Sequence, residues 1–293
     1  MFSYRRHPHA SIRQHYKGRT ATHLAAAVSA MALACALTAC AEDDGASPVK
    51  KGATAEEYND APMLEAKVDE VHPWDKAAFT QGLEASDDGR LLVGTGLHGE
   101  SQIYYTSLAG DKSDEQKLDK ELFGEGVTIH GDTVWQLTWK EHTAIKRDAR
   151  TLEEISRADY ETEGWGLCSQ QDRLVMSDGS GTLTFRDPES FEKTGSVDVT
   201  GTDQLNELEC TADGMVWANV WQTDKILEID PESGKVTHVV DTAGLFPAAQ
   251  QDGADVLNGI ATVPGSSPED RRFYLTGKLW DEMYEVSFAE PQG

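Results

Sequence analysis

Basic residues are scarce. Lys and Arg total 26 against 51 Asp and Glu, a formal net charge of −25. That balance argues against a nucleic-acid partner, because phosphate binding needs clustered Lys and Arg. Acidity by itself implies little beyond solubility. Sustained helical periodicity is also missing, which argues against a bundle or a doubly wound α/β fold. The chain has no P-loop, no G-x-G-x-x-G opening a helix and no G-x-S-x-G elbow. No pair of histidines stands at ligand spacing, so no tight metal site is legible. An apolar fraction of 39% and 26 glycines describe a globular, turn-rich protein.

No acid occurs in the first forty residues, which carry Arg5, Arg6, Arg13, Lys17 and Arg19. An apolar run over 24–36 follows, too short for a spanning helix with ordinary margins. It ends in Leu37-Thr38-Ala39-Cys40, which looks like a bacterial lipobox. Residues 1–39 thus read as a lipoprotein signal peptide, with Cys40 the acylated first residue of the mature chain. The expected location is the outer face of the cell membrane, anchored by lipid alone. Residues 40–62 read as a flexible acidic tether, and 63–293 as the folded domain. Of the four cysteines only Cys168 and Cys210 remain, and an exported compartment permits a disulfide.

The domain repeats. Gln81-Gly82-Leu83 recurs as Glu125-Gly126-Val127, Trp165-Gly166-Leu167 and Asn258-Gly259-Ile260, with Glu207-Leu208-Glu209 filling the fourth slot without the glycine, at steps of 44, 40, 42 and 51 residues. Each is followed by a polar turn and a second apolar run, at 91–95, 134–139, 174–178, 216–221 and 273–278. A third run follows at 103–108, 144–147, 183–186, 226–229 and 283–287. Sheets of about four strands repeated at this period are propeller blades, so the expectation is an all-β, five-bladed β-propeller. Residues near 64–71 are expected to supply the outer strand of the last blade.

First strands of blades line a central channel. Gln81, Glu125, Trp165, Glu207 and Asn258 therefore form a ring, and the second-strand ends Gly96, Trp139, Asp178, Trp221 and Lys278 lie near one mouth. Aromatic walls around a few convergent polar groups make a binding site. A carboxylate among indoles is a candidate for a raised pKa and proton transfer near neutral pH. Cys168 and Cys210 lie at matching offsets, three residues past Trp165 and Glu207. That makes them neighbours on adjacent inner strands and leaves a bridge open.

The repeat ends carry a resemblance. Phe79-Thr80-Gln81-Gly82, Phe123-Gly124-Glu125-Gly126, Glu163-Gly164-Trp165-Gly166-Leu167, Leu205-Asn206-Glu207-Leu208-Glu209 and Leu257-Asn258-Gly259-Ile260 with Thr276-Gly277-Lys278 look like the ordered motifs of the plant-type glutaminyl-peptide cyclotransferases. Two places depart: His72-Pro73-Trp74-Asp75 stands for the family's Pro-His-Asp, and Val93-Gly94-Thr95-Gly96 for its Glu-Ser-Thr-Gly. The resemblance implies a five-bladed propeller that converts N-terminal glutamine of peptides and proteins to pyroglutamate, releasing ammonia. It implies no required cofactor or catalytic metal and leaves open a structural divalent cation in the channel. Glu125 is the expected proton-transfer residue, with Glu207 as second choice or as holder of the α-ammonium. Asn206, Gln81 and Lys278 are candidate donors to the carboxamide oxygen. Phe79, Phe123, Trp139, Trp165 and Trp221, with Asn258, would line the substrate pocket. A monomer is expected. The rival readings are a non-catalytic surface propeller binding a protein or peptide partner, and a calcium-dependent hydrolase using Glu125, Glu207 and Asn258.

Overall fold

A computed structural model describes residue 58 and residues 60–291. The expected leader, Cys40 and nearly all of the tether lie outside the described residues. Strand β1 (Met63–Pro73) precedes three sheets of four antiparallel strands. They are β2 (Thr80–Ala85), β3 (Leu91–Thr95), β4 (Gln102–Thr106) and β5 (Lys112–Lys117); β6 (Gly124–His130), β7 (Thr133–Thr138), β8 (Thr143–Asp148) and β9 (Glu154–Asp159); and β10 (Leu167–Ser169), β11 (Leu174–Met176), β12 (Thr182–Arg186) and β13 (Lys193–Asp198). The rest form one eight-stranded sheet. One half is β14 (Leu205–Cys210), β15 (Val216–Val220), β16 (Lys225–Asp230) and β17 (Lys235–Asp241). The other is β18 (Leu257–Thr262), β19 (Arg272–Gly277), β20 (Glu282–Ala289) and β1. As expected, β1 pairs antiparallel with β20; it also pairs in parallel with β17, joining the two halves. Among the described residues no helix is long and apolar enough to cross a membrane.

The core lies between successive four-stranded units, the eight-stranded sheet counting as two. Leu92, Ile103 and Tyr105 pack on Val127 and Val134. Trp135 and Leu137 pack with Leu167, Leu174 and Met176. Val175 and Leu183 meet Leu208, Val216 and Leu227. Trp217 and Ile226 meet Ile260, Phe273 and Leu275. The last half-sheet then returns to the first sheet, Ala261, Tyr274 and Met283 packing on Leu83, Val93 and Tyr104. Burying both faces of the middle strands explains their near-continuous apolar runs. A disulfide joins Cys168 on β10 to Cys210 on β14, with Cα atoms 5.3 Å apart.

The x-Gly motif has a steric cause. A Cβ on Gly82 would lie 2.6 Å from the backbone nitrogen of Val127, and one on Gly126 2.7 Å from that of Leu167. Neighbouring first strands touch backbone to backbone at these glycines, and no side chain fits between them.

Candidate active site

Ladder register breaks at the ring residues. β2 pairs with β3 at Thr80 and again at Gly82, skipping Gln81. β6 skips Glu125 and Gly126, β14 skips Asn206 and Glu207, and β18 skips Asn258 and Gly259. Each is a bulge, a device that frees a residue from the ladder and re-aims its side chain. The third sheet differs: β10 begins pairing only at Leu167, so Trp165 precedes the strand that was expected to carry it. Its backbone N–H still donates to the carbonyl of Ser177 at 3.1 Å. Trp139, Trp221 and Lys278 each stand one residue past the end of a second strand. Their backbone N–H groups donate to the carbonyls of Phe123, Gln204 and Val256. The site is thus fastened to rigid sheet ends.

A buried polar line runs across the ring. Asn258 Nδ2 donates to Gln81 Oε1 at 3.2 Å and to the Thr80 carbonyl at 3.0 Å. Gln81 Nε2 donates to Glu125 Oε1 at 3.1 Å. Glu125, Gln81, Asn206, Glu207, Asn258 and Lys278 are all buried. Burial pushes the Glu125 carboxyl well above the usual range; Lys278 pulls it down, while Glu141 and Glu163 push it further up. Burial likewise lowers the Lys278 ammonium, which the charge of Glu125 partly restores. Asn206 Nδ2 and Asn258 Oδ1 are buried with no hydrogen-bond partner.

Half-buried aromatics form an arc beside these groups. The Lys278 ammonium lies 4.8 Å from the Phe79 ring centroid. Phe79 meets Phe123 at 6.1 Å, and Phe123 meets Trp139 at 5.5 Å. Trp165 meets Trp221 edge-on at 5.4 Å. Glu163 bridges the remaining gap. Its Oε2 accepts the indole N–H of Trp139 at 2.8 Å and that of Trp165 at 3.1 Å. Sequence reasoning gave Glu163 no role, although it opens the Glu-Gly-Trp-Gly-Leu motif. It lies outside the repeat offsets that singled out the ring.

Glu207 sits differently from Glu125. Its Oε1 accepts the Leu83 N–H at 3.2 Å and its Oε2 the Ile260 N–H at 2.8 Å. The carboxylate ties the first strands β2 and β18 to β14. Glu84 and Glu209, carboxyls that sequence reasoning passed over, lie near enough to interact; burial lifts Glu84 to about 8 and Glu209 to about 7.

Comparisons with known proteins point to one family. A sequence model described as glutamine cyclotransferase matches residues 31–288. A glutaminyl-peptide cyclotransferase of Arabidopsis thaliana is 35% identical over 228 residues, covering 74% of this chain and 69% of the relative. The crystal structure of a Myxococcus xanthus glutaminyl cyclase superposes with a TM-score of 0.72 at 33% identity, covering 79% of this chain and 100% of that one. The chain belongs to the glutamine cyclotransferase family.

Proposed function

We propose that this mouth cyclises N-terminal glutamine of peptides and proteins to pyroglutamate with release of ammonia. The observation that carries the reading is the buried Glu125, one oxygen held by Gln81, beneath an arc of aromatic side chains. The neutral α-amine attacks the side-chain carboxamide carbon. A C–N bond forms to close the lactam, the bond to the carboxamide nitrogen breaks, and ammonia leaves. One proton must move from the attacking to the leaving nitrogen. Glu125 accepts it and returns it, and its raised pKa suits both halves of that transfer. Gln81 positions Glu125 by occupying Oε1, leaving Oε2 to carry the proton.

Lys278 and the unpartnered Nδ2 of Asn206 are the donors for the developing oxyanion. The arc of Phe79, Phe123, Trp139, Trp165 and Trp221 holds the glutamine side chain folded back on its own amine. Such confinement removes much of the entropic barrier to ring closure. Glu207, with both oxygens on backbone N–H groups, is assigned to holding the first strands together. The reaction so written routes no step through a metal.

The sheet order, the bulged first strands and the cyclic sequence of cores support a five-bladed propeller, the eight-stranded sheet being two blades joined through β1 and β17. The Cys168–Cys210 bridge supports export, since disulfides persist in oxidising compartments. Anchoring through Cys40 completes the proposal.

The test is incubation with a short peptide beginning in glutamine, with and without EDTA, following peptide mass and ammonia. Loss of one ammonia per peptide, unaffected by EDTA and abolished in Glu125→Gln, is expected. A folded protein that converts none of several such peptides refutes the reading.

A further inference from the structure

We propose that Glu70, His72 and Glu285 form a binding site for a divalent transition-metal ion such as zinc, at the seam between the first and last strands. One ligand atom from each residue lies within 4.8 Å of the others. Glu70 on β1 stands directly opposite Glu285 on β20, and His72 follows two residues along the same face. Like charges directly opposed across a ladder destabilise it unless something intervenes. Arg272 offsets part of that repulsion by pairing with Glu285, and a cation between the two carboxylates would remove the rest.

His72 is the second, independent observation. It is 8% exposed, and its Nε2 is buried with no hydrogen-bond partner. That nitrogen is 3.9 Å from Glu285 Oε2, too far for a hydrogen bond. A bridging ion would satisfy it. Arg272 holds the other oxygen of Glu285, which fixes the carboxylate while leaving Oε2 free. The Tyr274 ring packs edge-on against the imidazole at 5.9 Å. Glu70 is exposed and supplies the route of entry. One imidazole and two carboxylates suit zinc, with water completing the shell.

The ion would staple β1 to β20 and so tie the two ends of the domain together. None of its ligands belongs to the proposed active site. Binding is therefore expected to raise stability and leave cyclisation unchanged.

The experiment takes the purified full chain, stripped with a chelator and dialysed, and titrates it with zinc chloride by calorimetry and by thermal melting. One saturable equivalent is expected, with Tm rising by roughly 5–10 °C at a hundredfold excess over Kd. His72→Gln and Glu70→Gln should each lose that equivalent and the Tm rise. Glu70 is exposed, so Glu70→Gln decides the question should His72→Gln fold poorly. Absence of zinc uptake, or uptake unchanged in Glu70→Gln, overturns the proposal.

Discussion

Gln81 Nε2 donates to Glu125 Oε1 across 3.1 Å, linking two first strands at residues that the ladder skips in each. The bulge and the hydrogen bond together fix which carboxylate oxygen is free. Glu125→Gln retains the shape but carries no transferable proton. It is expected to lower kcat by about 10²–10⁴-fold, the usual worth of a positioned proton-transfer group, with KM little changed. Steady-state kinetics on a glutamine-starting peptide measures this.

Lys278 opposes the upward shift that burial imposes on Glu125. Removing its charge in Lys278→Met should raise that pKa further. The acid limb of the kcat profile is then expected to move to higher pH, with kcat lower throughout because the proposed oxyanion donor is also lost. A pH–rate profile of the variant beside the wild type tests both effects.

Glu163 joins Trp139 to Trp165 through one oxygen. Hydrogen bonds to a charged group contribute about 1.5–3 kcal/mol. Glu163→Ala should therefore cost roughly ten- to hundredfold in kcat/KM, mainly through KM, as the two walls separate. Glu163→Gln keeps an accepting oxygen and is expected to recover part of the loss. Changed tryptophan fluorescence in Glu163→Ala, restored toward wild type in Glu163→Gln, distinguishes wall positioning from general destabilisation.

Much of this was legible because the inner strands must be apolar and regularly spaced. Leu91–Thr95 was read from its apolar run and is wholly buried in the structure. Ring residues were legible through the repeat alone, since Gln81, Glu125, Glu207 and Asn258 share one offset. The outer strands left no such trace. Lys112–Lys117 reads Lys-Ser-Asp-Glu-Gln-Lys, and all but one of its residues are exposed. With little apolar surface to bury, its composition is that of a loop, and only pairing with β4 makes it a strand. Glu163 escaped for a different reason: its partners come from two sheets, and no spacing along the chain encodes that meeting. The parallel pairing of β1 with β17 is likewise a relation between distant segments.

The Cys168–Cys210 bridge closes a 42-residue loop. A disulfide of this kind contributes about 2–4 kcal/mol, largely by restricting the unfolded chain. Replacing both cysteines by serine should lower Tm by roughly 5–15 °C. Activity at low temperature is expected to persist, because neither sulfur belongs to the aromatic arc or the buried polar line. Thermal melting of the double variant under oxidising conditions, with kinetics at room temperature, checks both parts.

Buried carboxyls make stability fall with rising pH. Burial lifts Glu84 to about 8 and Glu209 to about 7 from an unfolded value of 4.5, and Glu125 and Glu207 are raised as well. Between pH 4.5 and pH 8 the native state therefore holds more protons than the unfolded state. Under that inequality, stability declines as pH rises through the window. Surface carboxylates held below the usual range, such as Asp69 and Asp148, act oppositely, but only near and below their unfolded value of 3.8. Stability should thus decline from about pH 5 toward pH 8. Glu84→Gln and Glu209→Gln imitate the protonated forms and cannot ionise. Each is expected to flatten the slope of Tm against pH between 5 and 8. A slope unchanged in both variants would show that these two groups do not set the pH dependence.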